Sequence, residues 1–314
     1  VESIALCLKS GNVCVMRAGS DWARTNSVVG QALLEAADKT GVPTGAISLI
    51  ERPEREAALE LLRMPKLVDA IIPRGGLPLR TVVMEQSRVP VLCHDGGVCS
   101  MYVDGEADLP LAQTLVVNGK VQQATAVNSV DTVLVHHGIA RSLIPGLARR
   151  LLDDFKVDVK GCPKTVAMIG AQEFAQYKTV IAASEEDWSR QFVSTVLAVK
   201  VVKDMDEALD HIGRYGPSQT STIVTRNYEA ALRFTRAVDA SAVLVNASTR
   251  FHEGPELGVG RAFGLSTSRL HARGPITLED LTCQKYVVMG NGQLRQPHPV
   301  PTPYEDAIML KRPS

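Results

Sequence analysis

Short apolar, β-branched runs alternate with amphipathic stretches of about a dozen residues along most of this chain, and that alternation limits the fold more than any other feature. Residues 13–16, 46–50 and 67–72 read as strands, and 27–39 and 54–63 as helices. Near-continuous Val/Ile/Leu strands separated by helices imply a parallel sheet covered on both faces. Gly41 and Pro43 supply the stop after the first long helix. The same grammar restarts near Leu109 and continues through 130–135, 165–169, 196–202, 204–215, 221–225, 227–238 and 242–245. A second α/β domain follows from it. Within 204–215, Met205, Ala208, Leu209 and Ile212 have the spacing of one buried helix face, and Gly216-Pro217 ends it. Asn227 is a ready N-cap for the next helix. A length of 314 residues agrees with about two domains.

Charge excludes whole classes of partner. The 34 Lys and Arg balance 34 Asp and Glu, so no electrostatic footprint for nucleic acid or an anionic membrane surface exists. Cys7, Cys14, Cys93, Cys99, Cys162 and Cys283 form no CxxC pair and read as free thiols in a reducing, cytoplasmic compartment. The apolar stripe Ile4, Ala5, Leu6, Leu8 reads as a helix that stops at Ser10-Gly11-Asn12. Because the chain starts at Val1 and immediately enters this helix, the expectation is that a preceding piece of the first domain is missing. Residues 296–314, rich in proline, are expected to lie extended or partly disordered.

Open α/β sheets bind ligands at the carboxyl ends of their strands, so the loops there are expected to carry the chemistry. Ile71-Ile72-Pro73-Arg74-Gly75-Gly76 offers open backbone N–H groups, a helix start and a guanidinium, which suit a phosphate; a tight turn with a surface arginine is the alternative. No GxGxxG or GxxxxGK[ST] fingerprint occurs. The loop Cys93-His94-Asp95-Gly96-Gly97-Val98-Cys99 lacks a distant second ligand pair, so it reads as a Gly-Gly bend with buried cysteines and no metal is expected. His136-His137 reads as a solvent feature at a strand end. Asn246-Ala247-Ser248-Thr249-Arg250-Phe251 brings donors for a carboxylate or phosphate to a strand exit, ahead of glycines 254, 258, 260 and 264. Residues 266–275 add Arg269, His271 and Arg273; arginines pairing with loop carboxylates are the structural alternative.

Taken together, Leu8-Lys9-Ser10-Gly11-Asn12, residues 71–76, Val98-Cys99 with Tyr102-Val103-Asp104, residues 246–251 and residues 266–275 resemble the γ-glutamyl phosphate reductase family (glutamate 5-semialdehyde dehydrogenase) of the aldehyde dehydrogenase superfamily. The resemblance spans about residues 1–290, in order. It implies an α/β, aldehyde-dehydrogenase-like fold of two Rossmann-like parallel-sheet domains plus a short oligomerisation strand near residues 285–289. The implied division is 1–97 (nucleotide binding, N-terminal part missing), 98–264 (catalytic type) and 265–314 (return segment, oligomerisation strand and tail). The implied reaction is NADPH-dependent reduction of an acyl phosphate to an aldehyde in proline biosynthesis, through a cysteine thioester. By resemblance, Arg17, Ser20, Arg74, Gly75 and Gly76 fall on the NADP(H) side. Arg17-Ala18-Gly19-Ser20 lacks a carboxylate, which suits a 2′-phosphate. Asn246, Ser248, Thr249, Arg250, His271 and Arg273 fall on the substrate side. A homo-oligomer and glutamate kinase are the implied protein partners.

The chain also departs from that family. Its Cys-Asn-x-x-Glu-Thr segment reads Val127-Asn128-Ser129-Val130-Asp131-Thr132 here, so valine occupies the nucleophile's place next to Asn128. Val196 stands where an acidic residue is expected, and Gly258-Val259-Gly260-Arg261-Ala262 replaces Gly-Leu-Gly-Ala-Glu. A thiolate is what displaces phosphate and carries the acyl group. Two classes of function follow: a reductase that uses another nucleophile, with Cys99 or Cys93 as the candidates, or direct hydride transfer to an aldehyde; or a non-catalytic homologue that binds nucleotide or metabolite or supports a partner subunit.

Overall fold

The apolar stripe of α1 (Glu2–Lys9) buries Ile4 and Leu6, and the chain then reverses through Gly11 at φ +77° into β1 (Cys14–Arg17). A side chain at that φ is strained, so glycine is the residue the turn needs. In this computed structural model, which describes residues 1–50, 54–93, 96–170, 180–216 and 218–295, β1 pairs in parallel with β2 (Ile47–Ile50) across α2 (Ala23–Lys39). Ile4, Cys14 and Ile47 form their small core, with Leu33 and Leu34 of α2 against it. After α3 (Arg55–Leu61) and before α4 (Leu77–Gln86), the strand expected at 67–72 reduces to one parallel bridge, Ile71 to Val91. Pro73 and Pro90 lack the N–H groups a longer ladder needs.

The second sheet is larger and all parallel. In spatial order it runs β6 (Val180–Ala182), β5 (Asp158–Gly161), β7 (Val196–Val202), β4 (Thr132–His136), β3 (Ser100–Val103), β8 (Ser218–Val224), β9 (Ala240–Val245). Alternate residues of the central strands face opposite cores. Met101, Val103, Val133 and Val135 pack with α5 (Leu109–Val121) and α6 (His137–Arg149) through Val116, Leu143 and Leu147. Tyr102, Leu134 and Ile223 pack on the other face with α8 (Met205–Tyr215) and α9 (Tyr228–Ala237) through Ala208, Ile212 and Phe234. Both faces are covered, which is why the strands read as unbroken apolar runs. Asp108, Asp204 and Asn227 cap α5, α8 and α9 by accepting from Leu111, Glu207 and Ala230 N–H. The 165–169 run is helical, inside α7 (Pro163–Ile169), where Pro163 at the first turn favours a helix start.

A short antiparallel pair, Leu265–Ser266 with Gly274–Pro275, follows. Phe263, Ala272 and Ile276 join Leu6 and Leu92 in a further apolar cluster. The chain divides into two compact units, Val1–Thr282 and Cys283–Ser314. In the second, the described residues form no helix or strand, and Tyr286, Val287, Val288 and Met289 are exposed. Among the described residues, the strand expected at 285–289 is not formed in the single chain. The proline-containing tail, 296–314, lies outside the described residues. Among the described residues no helix is long and apolar enough to cross a membrane.

Candidate functional site

The connection from α5 to β4 carries Val127 and Asn128, so this loop stands at the amino ends of β3 and β4. Unlike the loops expected to carry the chemistry, this one enters its strand rather than leaving it. Two donors hold the Val127 carbonyl, Gln191 Nε2 at 2.9 Å and Cys99 Sγ at 3.4 Å. Asn128 is buried, and its Nδ2 donates to the His252 carbonyl at 3.0 Å. The backbone at position 127 is thus fixed from several sides, while its side chain offers only methyl groups.

His252 reaches this end because the segment after β9 runs back down β8. Asn246, at φ +52°, clips the Thr225 backbone; Thr222 Oγ1 donates to Ala247 O at 2.9 Å; and Thr220 Oγ1 meets His252 Nδ1 at 2.9 Å. Residue by residue, the segment descends from the carboxyl edge of the sheet to the amino edge. Along it the Ser248 hydroxyl accepts from the Arg250 N–H, and the buried Arg250 guanidinium donates to Gln122 Oε1 at 2.7 Å and Gln123 Oε1 at 3.2 Å. Thr249 lies against Gly119. The predicted catalytic loop and the predicted substrate-side run from Ser248 to Arg250 therefore come together.

Two buried charged groups, Asp131 and Lys120, sit beneath them. The Asp131 carboxylate accepts from Cys99 N–H at 3.1 Å and Phe192 N–H at 3.0 Å, tying together three segments that enter the sheet. Burial pushes its pKa up to about 6, and the nearby Lys120 ammonium and these two N–H donors oppose the rise. Lys120 is wholly buried, which pulls its own pKa down against the attraction of Asp131, and its Nζ donates to Ser194 O at 3.3 Å. His252 is held neutral, its pKa lowered by burial to about 4. Cys99 is fully buried, and burial followed by the Asp131 charge raises its thiol well above the ordinary range. Such a thiol carries no useful thiolate at neutral pH.

Around this loop Asn128 Oδ1, Ser129 Oγ, Thr132 Oγ1, Gln219 Nε2, Ser221 Oγ, Thr249 Oγ1 and His252 Nε2 are buried without a hydrogen-bond partner among the described residues. Buried polar atoms are normally paired, so this concentration singles out the amino end of the sheet as a candidate site. A cavity of about 720 Å³ opens beside it, lined among others by Val98, Ser189, Tyr215, Gly216, Cys93 and Arg269. Its volume is that of a small-molecule site. The Cys93 thiol, on the cavity wall, donates to Met84 Sδ at 3.5 Å.

The other predicted residues lie elsewhere. Arg17 ends β1, where its guanidinium donates to Glu54 O at 3.1 Å, and Ser20 opens a short turn, Ser20–Trp22. Between them, Gly19 has open space where a side chain would stand. Gly76 caps α4 and Gly75 packs on Leu79. Arg74 donates to the Phe263 carbonyl and lies against Gly264, which makes it a clamp on the glycine-rich segment. Gly254 is needed in that segment because a Cβ there would strike the Gly260 carbonyl. His271 meets Asp280 O at 3.3 Å, and Arg273 pairs with Asp239 at 2.7 Å, the structural alternative noted above for these arginines. His136 caps α6 by accepting from Gly138 N–H, rather than serving as a solvent feature only. Among the described residues no group of three metal-ligating side chains gathers; His94 and Asp95 lie outside them.

A sequence profile of the aldehyde dehydrogenase family matches residues 1–193. The chain belongs to the aldehyde dehydrogenase family. Within that family it groups with γ-glutamyl phosphate reductases: it is 47% identical over 295 residues to that of Desulfatibacillum aliphaticivorans, covering 94% of this chain and 68% of the relative. To that of Magnetococcus marinus it is 42% identical over 294 residues, with the same coverages of 94% and 68%. The crystal structure of the Thermotoga maritima γ-glutamyl phosphate reductase superposes with a TM-score of 0.87 at 38% identity, over 94% of this chain and 69% of that one. An acetylating aldehyde dehydrogenase from Geobacillus thermoglucosidasius, 20% identical with a TM-score of 0.71, over 94% of this chain and 72% of that one, shares the fold. Aldehyde dehydrogenases use NAD(P).

Sequence reasoning missed Lys120, Gln191, Gln219, Thr220 and His252. Only Lys120 carried a signal: it is the one cation in the otherwise apolar and polar-neutral α5. The rest reach the loop from distant points in the chain, and no local pattern announces them.

Proposed function

We propose that this chain is an oxidoreductase of the γ-glutamyl phosphate reductase type, acting in proline biosynthesis on a small acyl phosphate or aldehyde with NADP(H). The contact of Asn128 with the His252 carbonyl carries this reading, because it joins the loop holding the nucleophile's position to the segment holding the substrate-side donors. When bound, NADP(H) supplies or takes up the hydride. Arg17, Ser20 and the bare backbone at Gly19 would hold its ribose and 2′-phosphate, and Gly75-Gly76 at the start of α4 would lie along it. Asn128, Gln191 and Cys99 fix the loop, and Thr249 and Arg250 line the substrate side. The division into 1–97, 98–264 and 265–314, a cytoplasmic location, a homo-oligomer formed through residues 285–289 and an association with glutamate kinase belong to this reading.

Val127 sets its limit. Without a thiol at 127 no thioester forms there, and the buried Cys99 does not replace it. A specific observation thus favours a second reading, a homologue that binds cofactor and metabolite without covalent turnover: a valine at the one position around which the loop is built. NADPH titration followed by steady-state assay of the chain beside Val127→Cys separates the two. Tight NADPH binding with turnover only in V127C supports the binding homologue, turnover in both supports the reductase, and absence of NADPH binding overturns both.

A further inference from the structure

We propose that Cys7 and Cys14 form a peroxide-sensitive dithiol that closes to an intramolecular disulfide between α1 and β1. The turn at Ser10-Gly11-Asn12 folds β1 against α1: Asn12 N–H donates to the Cys7 carbonyl at 2.8 Å and the Ser10 hydroxyl to the same carbonyl at 2.9 Å. This reversal packs the Cys7 side chain against the core of Ile4, Cys14 and Ile47. Cys7 is half-buried and Cys14 buried, so one sulfur is reachable and the other waits behind it. Donation from Cys14 pulls the Cys7 thiol below its ordinary value and holds the Cys14 thiol above its own, which assigns the attacking role to Cys7 and the resolving role to Cys14.

The chemistry closes with a hydroperoxide as the oxidant. Cys7 thiolate attacks one peroxide oxygen, the O–O bond breaks, and hydroxide leaves and is protonated to water, giving a Cys7 sulfenic acid. Cys14 sulfur then attacks the Cys7 sulfur, the S–O bond breaks, and the hydroxyl leaves as water with the Cys14 proton. Two thiols and one hydrogen peroxide yield one disulfide and two waters. The loop spanned is short and already shaped by the turn at Gly11.

Trypsin gives a direct readout because it cuts after Lys9 and Arg17, leaving Cys7 and Cys14 on separate peptides. The chain is treated with hydrogen peroxide, its remaining thiols are blocked with iodoacetamide, and it is digested without reductant. Peptides 1–9 and 10–17 are expected as one species at their summed mass less two hydrogens, released by dithiothreitol. In Cys14→Ser, Cys7 is expected to accumulate as sulfinic acid for want of a resolving thiol. Recovery of both peptides unlinked after peroxide in the unsubstituted chain, or linkage of either to another cysteine such as the exposed Cys283, overturns the proposal.

Discussion

The two ends of the seven-stranded sheet solve the same problem in opposite ways. At the carboxyl ends of β3, β8 and β9, Asp104 accepts from Tyr102 OH at 3.1 Å and from Thr225 Oγ1 at 2.7 Å, Thr225 Oγ1 in turn accepts from Asn227 N–H, and Asn246 clips the Thr225 backbone through both of its amide atoms. The polar atoms of that knot are paired with one another. At the amino ends, buried polar atoms of Asn128, Ser129, Gln219, Thr249 and His252 have no hydrogen-bond partner among the described residues, and the buried Lys120 and Asp131 lie below them. One end closes its polar atoms on each other, and the other leaves part of them unmatched.

That contrast makes unequal demands on substitutions. The largest effect is expected from Val127→Cys, which supplies the one missing nucleophile; loss of such a group costs about 10⁶ in kcat, so steady-state NADPH oxidation is expected to rise by up to that factor. Next comes the buried lysine. Lys120→Met removes the ammonium near Asp131 and the donor to Ser194 O, and is expected to cost about 1–3 kcal/mol in urea unfolding.

The pH dependence of Asp131 sharpens the point. Its pKa is raised by folding, so the stability it contributes is present below its ordinary value of 3.8 and is lost as pH rises through about 6. The unsubstituted chain is therefore expected to gain on Asp131→Asn as pH falls from 7 to 4, by up to about 3 kcal/mol. His252, held neutral at a lowered pKa, loses stability as pH falls below its ordinary value of 6.5, but does so in both chains and cancels from the comparison. A gap between the two chains that is flat with pH would mean that Asp131 does not titrate in this window.

The smallest effect tests the other end. Asp104→Ala leaves the Tyr102 and Thr225 hydroxyls without their acceptor and is expected to lose about 1–3 kcal/mol of stability while NADPH affinity stays unchanged. A change in cofactor affinity there would break the division between the two ends.

Much of the fold was legible because it is written locally. The helix stop at Gly11, the face of Met205, Ala208, Leu209 and Ile212, and the Asn227 cap all follow from short-range rules. The strand expected at 67–72 failed because Pro73, two residues past the bridged Ile71, and Pro90, one residue before its partner Val91, limit pairing that composition alone promises. The 165–169 run has no element type of its own in the sequence, because five apolar-rich residues fit helix and strand alike, and Pro163 at the first turn makes it a helix. Of the site, Val127, Asn128, Thr249 and Arg250 were found through the resemblance, and the structure brings them together. The rule about carboxyl ends does not reach Val127 and Asn128, whose loop precedes its strand. Asn246 was read as a substrate donor, yet both of its amide atoms are engaged with the Thr225 backbone, a long-range pairing that no spacing reveals.

The central claim, that the loop at residue 127 is built around an attacking atom that valine cannot supply, is met most directly by trapping an acyl-enzyme. V127C is mixed with an acyl phosphate in the absence of cofactor, quenched in acid and mapped by mass spectrometry. A thioester on the peptide containing residue 127, absent from the unsubstituted chain, is the result the account predicts. Acylation of Cys93 in both chains, with residue 127 unmodified in the variant, would contradict it.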